Sequence, residues 1–221
     1  MDLTDQSGRF PDQIGRWPIT VIAVSRPPRQ HADDDILDRA AALFARRGFA
    51  KTSVQEIADA VGLSKAGLLH HFPSKDALHT AVTVQADGLA EQVLAVADRA
   101  AEGPERDRAT VDVLVDIAFA HPGLVALLLS PAAEEPAPEC TSTAGDAALR
   151  AFGIAPGEVP ADPTRVVRVL GALGALAVLS ISATELGTTT TWRPLVVATC
   201  LDALGHGRPG APATPSTDPE A

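Results

Sequence analysis

The stretch that most constrains this chain runs from Lys51 to Leu78, KTSVQEIADAVGLSKAGLLHHFPSKDAL, where three helix starts and two helix stops follow one another closely. Ser53 followed three residues later by Glu56 is a capping box, in which hydroxyl and carboxylate each satisfy an orphan backbone N–H. Val54, Ile57, Ala58 and Val61 then recur at i, i+3, i+4 and i+7, an apolar stripe on a helix of about two turns. Gly62 stops that helix, Leu63 is an apolar plug, and Ser64 caps a second helix whose Leu68 and Phe72 face the first. The residue before Pro73 is pushed out of the α region, and Ser74 starts a third helix. Two short helices joined by about three residues including glycine must cross, as in a helix-turn-helix whose second helix enters a DNA major groove.

Successive helical residues turn by about 100°, so Ala66 and His70 lie opposite Leu68 and Phe72, with Gly67 and Leu69 beside them and Lys65 in the first turn. Small residues there allow close approach to base edges, and Lys65 can donate to guanine. Lys75 at the positive end of the third helix makes sense if an anion is held there. Blander readings are solvated lysines, or a helix-turn-helix used only for protein contact. Against the first, Lys51, Lys65 and Lys75 are the only lysines in the chain. A metal pair at His70 and His71 is disfavoured, because adjacent helical side chains diverge and no third ligand is near.

These residues, with ILDRAAALFARRGFAKT before them, resemble the DNA-binding domain of the TetR (tetracycline repressor-like) transcriptional regulators over Ile36 to Val82. The resemblance rests on the IAxxxGxSK turn, the HHF helix end and the PSKxAL helix start. It implies DNA contacts from Ser53 and Gln55 on the first helix, from Ser64, Lys65, Ala66, Gly67, Leu69, His70 and His71 on the second, and a phosphate contact from Lys75. One departure stands out: the family usually has Tyr where this chain has Leu69, so a hydroxyl contact is missing or replaced by an apolar one.

Aromatic residues make up 4% of the chain, with no Tyr, while Ala, Leu and Val dominate. That favours helices over strands, and an all-α protein is expected. A net charge of −10 seems wrong for a DNA binder until it is divided by region. Residues 26–80 carry eight Lys/Arg against seven Asp/Glu, and residues 81–221 carry eight against eighteen. The acid lies away from the motif, where its field suppresses loose binding to nucleic acid. Cys140 and Cys200 are widely separated and lack CxxC spacing, so neither a disulfide framework nor zinc is expected, in keeping with a cytoplasmic protein. The apolar run PITVIAVS is too short and too late for a signal peptide, and the N-terminus starts with acidic rather than basic residues.

Four segments are expected: an unstructured arm at 1–30, a three-helix DNA-binding domain at 31–80 with its motif at 53–72, a larger helical effector and dimerisation domain at 81–206, and a disordered Pro-rich tail at 207–221. RPPRQ at the end of the arm could bring Arg26 and Arg29 to a groove. Helix one is expected from about Ala32 to Arg47, and its acidic start, Asp33 to Asp35, should lie off the phosphate path or weaken binding. Further helices are expected from Ser74 to Arg99, over 105–120, 123–130 and 142–153, and in two terminal segments, with PAAEEPAPE as a loop.

The run from Val166 to Thr184 is almost free of charge, and GALGALA within it allows backbones to approach closely. A membrane span, a core helix and a dimer helix compete as readings. The dimer helix is preferred, with Gly171, Gly174, Ala175, Leu179, Trp192 and Val196 at an isologous four-helix interface and no membrane partner. The resemblance also implies a homodimer, and an effector pocket within residues 81 to about 160. His79, Gln85 and His121 are the candidate ligand contacts, Glu185 is another isolated polar residue, and the scarcity of aromatics points to a mostly apolar small molecule. No cofactor or metal is expected. The overall expectation is a ligand-responsive repressor, not an enzyme, bound as a homodimer to a near-palindromic double-stranded operator. A regulator working through protein partners and, more remotely, a helical enzyme are the alternatives; no P-loop, HExxH, G-x-S-x-G or dinucleotide fingerprint supports the enzyme.

Overall fold

A computed structural model describes residues 28–130, 144–155 and 162–207. The arm before Pro28, including Arg26, the PAAEEPAPE segment with Cys140, and the tail from Arg208 onward lie outside the described residues. The side chain of Arg29 is also outside them. Those described form nine helices and no strand: α1 (Pro28–Arg47), α2 (Val54–Ala60), α3 (Lys65–His71), α4 (Lys75–Ala97), α5 (Pro104–Ala120), α6 (Pro122–Leu128), α7 (Ala144–Ala151), α8 (Pro163–Glu185) and α9 (Thr189–Leu204). The first helix starts four residues before the expected Ala32, at a proline whose fixed φ suits a helix start.

Two main apolar clusters organise the chain. In the first, Ile36, Ala40, Leu43 and Phe44 of α1 meet Ile57 and Ala58 of α2, Leu68 of α3, and Leu78, Val82 and Ala86 of α4. In the second, Val111, Val115 and Ala118 of α5 meet Val169, Ala172 and Leu176 of α8, and Val196, Val197, Cys200 and Leu204 of α9. The helix α4 belongs to both ends of the molecule, since Val93 and Ala97 further along it pack with Ala151 of α7. A division at residues 80 and 81 therefore cuts a continuous helix, and the head's core extends to Ala86 and takes in Leu124 of α6.

The head is joined to the rest through α1. Asp38 Oδ1 accepts the N–H groups of Gly123 (2.8 Å) and Leu124 (3.1 Å), capping α6 from another helix. The two backbones come so close that a Cβ on Gly123 would collide with the Asp38 carbonyl. Burial pushes the Asp38 carboxyl above its ordinary pKa, against the two backbone hydrogen bonds and the charges of His121 and Arg39. Ser130 adds a bond from its hydroxyl to Ala45 O at 2.8 Å.

At the distal end Asp107, 2% exposed, receives Arg165 in a two-pronged pair at 2.7 and 2.8 Å. His206 Nε2 lies 2.6 Å from Asp107 Oδ2, beyond the left-handed Gly205 that ends α9. Burial pushes the Asp107 carboxyl up, but the hydrogen bonds and charges of Arg165 and His206 outweigh it and hold the pKa below its usual value.

By length and hydropathy α8 could cross a membrane, yet its inner side packs on α5 and α9. Its outer side, with that of α9, is apolar too: Val167, Leu170, Val178 and Leu195 are all more than half exposed.

Candidate nucleic-acid interface and cavities

The geometry of the motif follows from its caps. Ser53 Oγ accepts the Glu56 N–H at 3.2 Å and Glu56 Oε2 accepts the Ser53 N–H at 2.8 Å. These bonds, the Ser53 backbone N–H first, hold the Glu56 carboxyl below its usual pKa, and Arg47 pairs with the same carboxylate. After α2 the chain turns at Gly62, where φ is +71°, a conformation in which L side chains are strained. Leu63 N–H returns to Ala58 O at 2.9 Å, setting the crossing of α3 on α2. Ser64 then caps α3 through the Gly67 N–H at 3.0 Å. A Cβ on Gly67 would sit 3.3 Å from that capping oxygen, so the glycine leaves room for the cap as well as for close approach from outside.

Leu68 faces inward at 1% exposed, while Ser64, Lys65, Ala66 and His70 are exposed and Gly67 and Leu69 are half-buried. On α2, Ser53 and Gln55 are exposed, and the Gln55 amide donates to Asp59 at 2.7 Å. Two expectations change. Lys75 does not extend toward an external phosphate: its ammonium is turned back onto the carbonyls of Phe49 (2.8 Å) and Thr52 (3.1 Å), over the Phe49 ring. Those carbonyls belong to the turn after α1, where Phe49 O also accepts the Thr52 N–H at 3.3 Å, and the cation closes that turn. His71 is exposed but its Nδ1 lies 2.7 Å from Asp33 Oδ1, tying the end of α3 to the start of α1. The acidic start of α1 is thereby partly occupied. Lys51, which sequence reasoning noted without assigning a contact, is exposed in the turn before α2.

The candidate effector residues do not come together as a set. His79 belongs to the head, edge-on to Phe49 (4.9 Å) and Phe44 (5.6 Å), and burial lowers its pKa despite Asp76. Gln85 and His121 do meet, in a cavity of about 210 Å³ lined also by Asp34, Gly88, Leu89 and Gln92. Glu185 is exposed at the end of α8. A second cavity, of about 380 Å³, lies at the distal end against Arg106, Asp107, Phe152, Arg165 and His206, a constellation that spacing alone does not reveal. Both cavities set charged and amide side chains beside apolar surface.

The dimer residues divide as well. Gly171 is exposed and Gly174 half-buried, and a Cβ on either would meet nothing within 4 Å in the same chain. Ala175 is half-buried. Leu179 and Trp192 are partly buried against the α5–α8–α9 core. Val196, at 1% exposed, is a core residue of its own chain and is removed from the interface. Cys200 is buried too, and burial raises its thiol pKa to about 11. Among the described residues no group of three His, Cys, Asp or Glu side chains could hold a metal ion.

The model of the bacterial regulatory proteins of the tetR family matches residues 36–82. The HTH-type transcriptional repressor KstR2 of Rhodococcus jostii is 50% identical over 44 residues, 20% of this chain and 22% of that protein. The HTH-type transcriptional regulator RutR of Escherichia coli is 46% identical over 50 residues, 23% of this chain and 24% of that protein. The matched stretch thus spans under a quarter of each of these relatives. Among solved structures, the TetR family regulator PfmR from Thermus thermophilus is 25% identical, covering 80% of this chain and 97% of that one, with a TM-score of 0.48.

Proposed function

We propose, on the premise that residues 36–82 are the DNA-binding domain of a TetR-family transcriptional regulator, that the protein is a homodimeric repressor of a near-palindromic operator. The observation that carries this is the outer face of α3, where Ser64, Lys65, Ala66 and His70 stand exposed on a helix anchored by Leu68 and capped at its start. In that reading the bases are met by Lys65, Ala66, Gly67, Leu69 and His70, while Ser53, Gln55, Lys51 and Ser64 meet the backbone. Lys75 supports the turn that carries Lys51. His71 sets the angle of α3 through Asp33.

Twofold pairing is supported by the outer face of α8 and α9. Val167, Leu170, Gly171, Gly174 and Val178 follow one helical side, and Leu195 stands exposed on the neighbouring helix. An apolar face of this kind is stabilised by a second copy, and two copies require a two-fold related site. An effector would act by binding unequally to two spacings of the paired heads. The division into arm, head, effector and dimerisation core, and tail is part of the same reading, as is action in the cytoplasm.

Selection of bound fragments from random duplex DNA tests it. A near-palindrome should emerge, Lys65→Ala should relax preference within it, and Lys51→Ala should weaken all sites alike and flatten the dependence of log K on log salt by about one unit. Recovery of random sequence, or no duplex at all, would overturn the reading.

A further inference from the structure

One apolar side chain of the helix-turn-helix is not used by the fold. Between Val54 and Phe72 five apolar side chains are half-buried, and Val54, Val61, Leu63 and Phe72 pack against the head's core. Leu69 stands apart from that core. It lies three residues from the exposed Ala66, and helical residues three apart are neighbours, so the two form one apolar strip on the outer side of α3.

The polar groups around this strip narrow what it meets. In a major groove, amide side chains read adenine, carboxylates accept from cytosine, lysine donates to guanine, and apolar groups touch the thymine methyl. The seven residues of α3, KAGLLHH, contain no amide and no carboxylate. On α2 the Gln55 amide is drawn along its own helix to Asp59 at 2.7 Å, and the Glu56 carboxylate is held by Ser53 and Arg47. Lys65 is exposed in the first turn of α3. His70 is exposed too, but a neutral ring with one donor and one acceptor does not name a base. Along the helix axis Ala66 and Leu69 are separated by about 4.5 Å, at roughly 1.5 Å per residue. That is a little more than the roughly 3.4 Å between stacked base pairs, so the two side chains meet neighbouring pairs.

We infer that Leu69 and Ala66 select thymine, through its 5-methyl group, in two neighbouring base pairs of each operator half-site, with Lys65 directed to a guanine beside them. The inference rests on the function proposed above, because it assigns bases to the face which that reading places in the groove. The methyl leaves water as it meets the strip, and cytosine offers no such group at that position.

The test uses the full chain and the duplex recovered by selection, with affinity measured by fluorescence anisotropy at fixed salt. Each thymine of the half-site is replaced in turn by deoxyuridine, together with its symmetry mate, which removes only the methyl. Replacement in two neighbouring pairs should each weaken the unaltered chain by about tenfold, two buried methyls being lost per duplex. Comparing thymine with deoxyuridine within one variant cancels any general loss of binding. Leu69→Ala should bring that ratio close to one in one of the two pairs, and Ala66→Gly should do so in its neighbour. Putting 7-deazaguanine at the adjoining guanine should weaken the unaltered chain by about tenfold and leave Lys65→Ala unaffected. If Ala66→Gly does not fold, Leu69→Ala alone decides, since Leu69 is not part of the core. A selected half-site without thymines in neighbouring pairs, indifference to loss of the methyls, or an unchanged ratio in Leu69→Ala would overturn the inference and leave a DNA-binding regulator standing. Recovery of no duplex at all would sink both.

Discussion

The helices α3 and α8 are both surface helices of this molecule, and they are held in opposite ways. Seven residues suffice for α3 because it is stabilised mainly close by, Ser64 capping it from the residue before and Leu68 anchoring it on α2, itself closed by the Ser53–Glu56 box, with the His71–Asp33 pair as its one polar tie to a distant helix. By contrast, α8 is 23 residues long and is fastened by partners far away in sequence, Arg165 to Asp107 at a separation of 58 and Arg168 to the Leu204 carbonyl. Their outer faces differ in the same sense. That of α3 is small and polar and is stable in water. That of α8 exposes Val167, Leu170 and Val178, which water does not stabilise. A surface element closed by caps and a small polar face is finished as it stands, whereas one with an exposed apolar face leaves part of its packing open.

The distal pair is the strongest test of the long-range half of this contrast. Arg165→Met leaves the Asp107 carboxylate buried with only His206 beside it, and should lower unfolding free energy by about 3–5 kcal/mol in denaturant titration. A loss under about 1 kcal/mol would mean that α8 does not depend on its distant partner. Next comes the apolar face. Gly174→Leu adds a side chain that meets nothing in its own chain, so monomer stability should hold while the dissociation constant of the proposed dimer in sedimentation rises by roughly a hundredfold, about 2.7 kcal/mol. An unchanged dimer would move the interface elsewhere.

Local capping should register less. Ser53→Ala removes one cap bond, and should cost about 1 kcal/mol of head stability by thermal unfolding. An effect as large as that of Arg165→Met would erase the distinction between the two regions. Smallest is the acid response of His79. Its folded pKa lies below the unfolded value near 6.5, so the unfolded chain takes the proton first. The contribution of neutral His79 is complete above about pH 6.5 and is lost as pH falls toward the lowered folded pKa. His79→Phe should flatten the stability profile as pH falls below about 6.5, and an unaltered slope would assign the acid loss to other groups.

Legibility followed the range of the interactions. The inward positions Ile36, Ala40, Leu43, Phe44, Ile57, Ala58 and Leu68 could be read from periodicity, because each element's buried stripe repeats within a few turns. Most helix boundaries were readable to within a few residues from Ser, Gly and Pro. The turn of Lys75 onto Phe49 and Thr52 was not: in sequence a lysine in a first helical turn looks available, and only the fold brings turn carbonyls 23 and 26 residues away within its reach. Val196 was misplaced for a related reason. On a helix apolar nearly all round, periodicity does not say which side its own chain covers.

Sequence alone determined that the chain would be helical, that a capped helix-turn-helix would occupy residues 53–72, and that Ala66 and His70 would share a face away from Leu68. Backbone capping and helical periodicity are decided by neighbours within about four residues, so these features are present wherever the string is. Tertiary structure decided the rest: which cation meets which carbonyl, that Asp107, Arg165 and His206 close the distal end together, and that Gln85 and His121 meet Asp34 while His79 does not. Such meetings depend on how whole helices cross, and crossing is settled by the packing of surfaces drawn from the entire chain.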